Sequence, residues 1–234
     1  LSREAIRNIR YEGVQLIDLL YTAIRPVDWS TLKADEYSVD VQIIGSDCVI
    51  TITEVFAGAL SAETKITLSD NNAFSVGYEL KGLSEYQVSR WGVCFCLNSA
   101  DWMGSTVVSS GNTYSLAQDI SPQRVVDGVI QGLFPASNEM QFLAPDNRSL
   151  KVVSIGKVLE AEDQRNWTDN TYKIYSGSLS EPFPILMSSG GVWTQSANFE
   201  VGVSKRIDAD PSKILVREIE ALPSIGLQLN ADSL

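Results

Sequence analysis

Tyr37-Ser38-Val39-Asp40-Val41-Gln42-Ile43 and, across the turn Gly45-Ser46-Asp47, Cys48-Val49-Ile50-Thr51-Ile52-Thr53 alternate apolar and polar side chains with a period of two. That period marks a strand with one buried face, because successive Cβ atoms leave a strand on opposite sides. Similar runs recur at Lys65 to Leu68, Phe74 to Leu80, Trp91 to Leu97, Val152 to Ala161, Thr171 to Tyr175, Val192 to Val203 and Ile214 to Ile219. Turn clusters separate them: Ser69-Asp70-Asn71-Asn72, Ser109-Ser110-Gly111-Asn112, Pro145-Asp146-Asn147 and Ser188-Ser189-Gly190-Gly191. Short strands with frequent turns and no βαβ rhythm predict an all-β fold, a β-sandwich of two large, mainly antiparallel sheets with few short helices. Two helical turns are expected. One lies near Ser2 to Asn8; the other spans Ser121 to Val126, where Ser121 would cap and Pro122 would take the first helical position.

A chain of 234 residues with 44% hydrophobic content can fill one sizeable core. One domain is expected over residues 1–221. The apolar stretch Ala221-Leu222-Pro223-Ser224-Ile225-Gly226-Leu227-Gln228-Leu229 then reads as an exit segment, residues 222–234, toward a further domain. Eighteen Lys and Arg against twenty-nine Asp and Glu give a net charge of −11, which repels phosphate backbones and anionic lipid. No nucleic-acid or membrane partner is expected. No apolar run approaches the roughly 20 residues of a spanning helix, and LSREAIRNIR lacks the basic-then-apolar order of a secretory signal, so a cytoplasmic location is expected.

The sequence contains no His. Ser-His-Asp and Cys-His catalysis within the chain are therefore excluded, and the commonest zinc ligand is missing. No metal site and no cofactor are expected; chemistry falls to carboxylates, Lys, Tyr, Arg or a partner domain. Cys94 and Cys96 share one face of a strand, a poor geometry for a disulfide, and read as reduced buried thiols.

The chemistry concentrates in Glu160 to Tyr175, EAEDQRNWTDNTYKIY. On a strand Glu160 and Glu162 share a face and Asp163 takes the other. Gln164, Asn166, Asp169 and Lys173 can hydrogen-bond several hydroxyls, while Trp167 and Tyr175 offer flat apolar plates to a ring. Arg165 supplies a fork suited to a carboxylate, and paired carboxylates can do acid-base work once burial separates their proton affinities. The segment predicts a site for a small sugar or sugar-acid ligand, although a solvated loop in which Arg165 pairs with Asp163 or Asp169 has the same composition. Of the five Trp, Trp167 and Trp102 are the candidates for ligand contact, and Trp91 and Trp193 for packing. Asn98 and Asp101, after a strand end, are further candidates. Asp208-Ala209-Asp210 reads as a surface turn.

Glu162-Asp163-Gln164-Arg165-Asn166-Trp167-Thr168-Asp169, then Tyr172-Lys173-Ile174-Tyr175 and Leu179-Ser180-Glu181-Pro182-Phe183-Pro184, resemble the N-terminal domain of the D-apionate lactonase family. That family carries a nearly identical EDQRNWTDASFK-Y segment followed by a PFP run. Ile6 to Val14, Ile24 to Trp29, Ser89 to Asn98, Asp119 to Gln123 and Leu222 to Leu227 match it in order along the chain. Two positions where the family carries His hold Asn98 and the Gln123-Arg124 neighbourhood here.

The resemblance implies an N-terminal β-sandwich of a carbohydrate-metabolism hydrolase acting on a sugar-acid lactone, with a C-terminal TIM-barrel domain of the same protein as partner. In that reading Glu162 or Asp163 is the base for water and Arg165 holds the ring oxygen or carboxylate. Glu160, Gln164, Asn166, Trp167, Asp169, Lys173 and Tyr175 line the substrate. The alternatives are a non-catalytic carbohydrate-binding or interdomain scaffold sandwich, in which Arg165 and Asp169 would pair, and a mutarotase-like sugar epimerase, which the missing His weakens.

Overall fold

The computed structural model describes residues 5–69 and 72–203. The expected strand at Ile214 to Ile219, the turn at Asp208 to Asp210 and the exit segment 222–234 lie outside the described residues. Strands run in chain order as β1 (Ile6–Tyr11), β2 (Val14–Arg25), β3 (Glu36–Ile44), β4 (Asp47–Phe56), β5 (Leu60–Leu68), β6 (Ala73–Gly82), β7 (Tyr86–Val88), β8 (Arg90–Asn98) and β9 (Thr106–Ser109). They continue as β10 (Asn112–Ser115), β11 (Arg124–Val126), β12 (Val129–Gln131), β13 (Glu139–Leu143), β14 (Arg148–Ile155), β15 (Leu159–Asp163), β16 (Thr171–Ser176), β17 (Ile185–Met187) and β18 (Val192–Val203). One α-helical turn, α1 (Ser99–Trp102), and one 3-10 turn (Gln164–Trp167) interrupt them.

The strands form the predicted sandwich. A five-stranded antiparallel sheet has the order β1-β2-β8-β16-β15, and a nine-stranded one the order β10-β9-β13-β14-β18-β6-β5-β4-β3. In β6 every second residue is buried, as the period of two requires. β8, by contrast, is buried almost throughout. Its alternation splits between two covered faces: Trp91, Val93, Phe95 and Leu97 enter the main core, whereas Cys94 joins Ala23, Tyr175, Tyr21 and Leu179 on the far side. The cysteines are free thiols.

Aromatic rings bridge the sheets. Phe95 meets Phe199 edge-on at 5.4 Å, and Phe199 stacks on Phe74 at 4.4 Å. Trp91 stacks on Trp193 at 5.4 Å, so this pair is packing, as expected from the sequence. Each buried ring contributes about 1.5–3 kcal/mol through the apolar area it removes from water.

A buried amide fixes how the sheets meet. Gln195 Nε2 donates to Ser154 Oγ at 3.0 Å and Ser176 Oγ at 2.7 Å, and its Oε1 accepts from the Val93 amide at 2.9 Å. Gly92 makes room for that amide: its φ is +126°, and a Cβ there would lie 2.3 Å from Gln195 Oε1. One side chain from β18 thus satisfies groups on β14, β8 and β16, and sliding the sheets would break its bonds to β8 and β16 and leave the buried Val93 amide without its partner.

Three local expectations are corrected. The stretch near Ser2 to Asn8 is not helical where described: Ile6 to Tyr11 pairs with β2, Ile6 opposite Leu20 and Ile9 opposite Ile17, because burying Ile6, Ile9 and Tyr11 outweighs helix propensity. Ser121 to Val126 is not a helical turn either. Arg124–Val126 forms one arm of a hairpin whose turn, Asp127-Gly128, has φ of +51° and +78°, the positive pair that a tight two-residue turn demands. The run Val152 to Ala161 breaks at Gly156, φ +92°, into β14 and β15. β3 is a strand as predicted, yet it is exposed on both faces: it ends the nine-stranded sheet beyond the reach of the smaller one, leaving Val41 56% and Ile43 72% exposed.

Candidate functional site

β15 is an edge of the five-stranded sheet, and its partner β16 lies between it and β8. Leu159, Ala161, Tyr172 and Ile174 point into the core, so alternation turns Glu160, Glu162, Lys173 and Tyr175 to the outer face. Register places Glu162 opposite Lys173 and Glu160 opposite Tyr175. Sequence neighbours thereby become a compact patch of two carboxylates, an ammonium and a phenol.

The two carboxylates have different tasks. Glu160 is buried and fully engaged: it accepts from Tyr175 Oη at 2.7 Å, Ser178 Oγ at 2.8 Å and the Leu179 amide at 2.9 Å. Gly132 lies directly over it, since a Cβ at that glycine would come within 2.6 Å of Glu160 Cγ. Burial, then the neighbouring Glu160, pushes the Tyr175 hydroxyl far above the ordinary phenol range and keeps it a donor. Glu162 is only partly buried, and its one hydrogen-bond donor among the described residues is Gln164 Nε2 at 2.7 Å. Burial raises its affinity for a proton, opposed by Lys173 and by the Gln164 bond.

Asp163 and Arg165 face each other. Arg165 Nε and Nη2 bind Asp163 Oδ1 and Oδ2 at 2.8 and 2.7 Å. Its other hydrogens go to the carbonyls of Ala117, Gln118 and Asp119 at 2.8–3.1 Å, while its guanidinium lies 4.9 Å from the Tyr172 ring centroid. Asp163 Oδ2 also accepts from the Ser121 amide at 2.9 Å, and Oδ1 from the Arg165 amide. Burial would raise the Asp163 carboxyl, but the bonds from Arg165 and the two amides outweigh it and hold the group below the usual carboxylate range. Asn166 extends the same clamp, donating to the Ser121 carbonyl at 2.8 Å. The pair ties residues 117–121 to the end of β15; Asp169, the alternative partner of Arg165, is exposed and outside that pair.

Two cavities open on this face beneath the β11–β12 ribbon. The first, about 330 Å³, is lined among others by Asp119, Ser121, Asp163, Asn166 and Trp167, with Trp167 49% exposed. The second, about 350 Å³, is lined among others by Arg25, Trp29, Arg90, Cys94, Lys173 and Leu179. Glu162, Tyr175, Gln123 and Ile130 line both. Glu162 therefore stands at their junction.

Among the described residues, no group of three or more Cys, Asp or Glu is placed to hold a metal ion. No helix there is long and apolar enough to cross a membrane.

The family described as D-apionate lactonase, N-terminal domain, matches residues 1–204. The chain belongs to this D-apionate lactonase N-terminal domain family. A similar curated protein is the D-apionate lactonase of Brucella anthropi, 21% identical over 233 residues, which cover 95% of this chain and 38% of that protein. Among solved structures, the α-galactosidase AgaA of Geobacillus stearothermophilus aligns with a TM-score of 0.53 at 11% identity, over 82% of this chain and 33% of that one. A β-arabinopyranosidase aligns at 0.50 and 10% identity, over 81% and 35%. Those two likenesses concern the fold alone.

Within the lactonase-family fold, several expected contacts are packing. Trp102 is 1% exposed and its Nε1 donates to the Leu16 carbonyl at 2.9 Å, which corrects its reading as a ligand plate. Asn98 caps α1 by accepting from the Ala100 amide, and Asp101 pairs with Arg148 at 3.4 Å. Arg25, Trp29, Arg90 and Ile130 line the cavities without having been singled out from the sequence, and so does Gln123, noted there as standing where the family carries His. For Ile130 the local signal was the Asp127-Gly128 turn, which announces the ribbon that carries Gln123 and Ile130 over the sheet.

Proposed function

We propose that this chain is the N-terminal domain of a hydrolase that opens a sugar-acid lactone, with Glu162 as the general base. The observation that carries this reading is the position of Glu162, partly buried at the junction of two cavities on the sheet face. Family membership supports the reaction class. Glu162 takes a proton from water as the water oxygen bonds to the lactone carbonyl carbon, and returns it to the ring oxygen as the ring C–O bond breaks. Tyr175 Oη, whose hydrogen goes to Glu160, and Asn166 Oδ1, whose amide hydrogens go to the Ser121 and Asp163 carbonyls, offer acceptors to hydroxyls; Trp167 covers an apolar ring face, Gln164 holds Glu162, and Asp163 with Arg165 positions the 117–121 wall. A following domain, a TIM barrel by family resemblance, completes the cleft; the chain spans 38% of its curated relative and about a third of the matched glycosidases.

The test is acid release from a panel of aldonolactones by the full-length protein, followed across pH. A base works when deprotonated. Because burial raises the Glu162 carboxyl, the rate should climb with pH through a midpoint above the roughly 4.3 of a free Glu. Lack of turnover on every lactone of the panel would sink the reading, and a profile flat from pH 4 to 8 would remove Glu162 as base.

A further inference from the structure

The two cavities differ in charge. The first is lined by three carboxylates, Asp119, Glu162 and Asp163, the last neutralised by Arg165, against the single cation Arg124, together with hydroxyl, amide and apolar groups. Three cations line the second, Arg25, Arg90 and Lys173, against the single carboxylate of Glu162. That excess is local and runs against a whole-chain charge of −11.

The three cations are not equally free. Arg90 is held by the fold: its Nη atoms donate to the carbonyls of Ser89, Ser178 and Glu181 at 2.6–3.0 Å, its guanidinium lies 5.5 Å from the Trp29 ring and 5.1 Å from Phe183, and its Nε is buried without a partner among the described residues. Arg25 commits Nη1 to the Trp29 carbonyl and the Thr31 hydroxyl, and has no hydrogen bond from Nε or Nη2 among the described residues. Lys173 Nζ makes neither a hydrogen bond nor an ion pair there, and lies 5.7 Å from the Tyr175 ring centroid. Glu162 is its cross-strand neighbour but lies outside salt-bridge distance. Glu160 and Glu181, the other carboxylates near Arg90, are spent on Tyr175, Ser178 and Lys157.

Unsatisfied cations beside the apolar walls of Ala23, Trp29 and Leu179 attract an anion more strongly than the same charges in open water would. We propose that the second cavity is a carboxylate subsite, in which Lys173 and Arg25 receive the carboxylate formed when the lactone ring opens, while the polyol end lies in the first cavity. The inference rests on the hydrolase reading for its ligand class. It assigns the acyl side of the ligand to the cationic cavity and makes Lys173 a specificity residue. It also implies that the hydroxy-acid product binds the protein and competes with the lactone.

Calorimetric titration of the full-length protein with sodium D-gluconate, and with sorbitol as a neutral polyol of equal carbon number, tests this. Gluconate should bind about tenfold or more tightly than sorbitol, as one charge-assisted contact requires. Lys173→Met should abolish the preference without changing sorbitol binding or the melting curve, and added salt should reduce it. Equal affinities, binding of neither compound, or an unchanged preference in Lys173→Met overturn the subsite. The two readings fail separately. Lactone turnover without a gluconate preference leaves the hydrolase and removes the subsite; gluconate preference without turnover does the reverse.

Discussion

Glu162→Gln in the full-length protein is expected to cut lactone turnover by about three orders of magnitude, within the range that a positioned general base contributes. The substitution keeps the size of the side chain and an acceptor for Gln164, and removes the charge and the capacity to take a proton. Its effect on stability should have the opposite sign. Burial raises the Glu162 carboxyl above its unfolded value, so the folded state favours the protonated form, and that contribution is lost as pH rises through the folded value. At neutral pH the charged group opposes folding, and a neutral amide relieves it. The variant should therefore be at least as stable as the parent at pH 7 while almost inactive. A variant that is inactive and also less stable would point to a structural role for Glu162.

Arg165→Ala should show the converse pattern. It leaves Asp163, 2% exposed, as a buried carboxylate without a counter-ion, and frees the carbonyls of residues 117–119. The expected cost is about 3 kcal/mol, the low end for breaking a buried pair, because the guanidinium keeps partial access to water. It should be read as a lower denaturant midpoint with unchanged slope. The pH dependence gives an internal check. The folded Asp163 carboxyl lies below its unfolded value, so its stabilising contribution is present above the unfolded value and lost as pH falls through the folded one; in Arg165→Ala that acid-side loss should shrink. Equal midpoints for parent and variant at pH 7 would remove the clamp.

The alternation from Tyr37 to Thr53 correctly announced strands, but a two-residue period reports a strand and not what covers it. β3 carries the same pattern as its buried neighbours and lies uncovered at a sheet edge. The expected helical turns failed where tertiary burial of Ile6 and Ile9, and the Asp127-Gly128 turn, outweighed local propensity. The site was half legible because Glu160, Glu162, Lys173 and Tyr175 are close in sequence and their facing could be read from strand alternation. Arg25, Trp29 and Arg90 reach the same face only through the pairing of β2, β8 and β16, which joins segments far apart in the chain. No local pattern encodes that pairing.

The floor of the site belongs to a sheet locked into the core, whereas its roof is a ribbon of three residue pairs bonded as strands only to each other. Small two-stranded units are marginal in water and open before packed sheets do. Heat should therefore unroof the cavities while the sandwich is still intact. The temperature at which the protein stops working would then be set by Arg124 to Gln131, and a melting curve of the whole fold would overstate its working range.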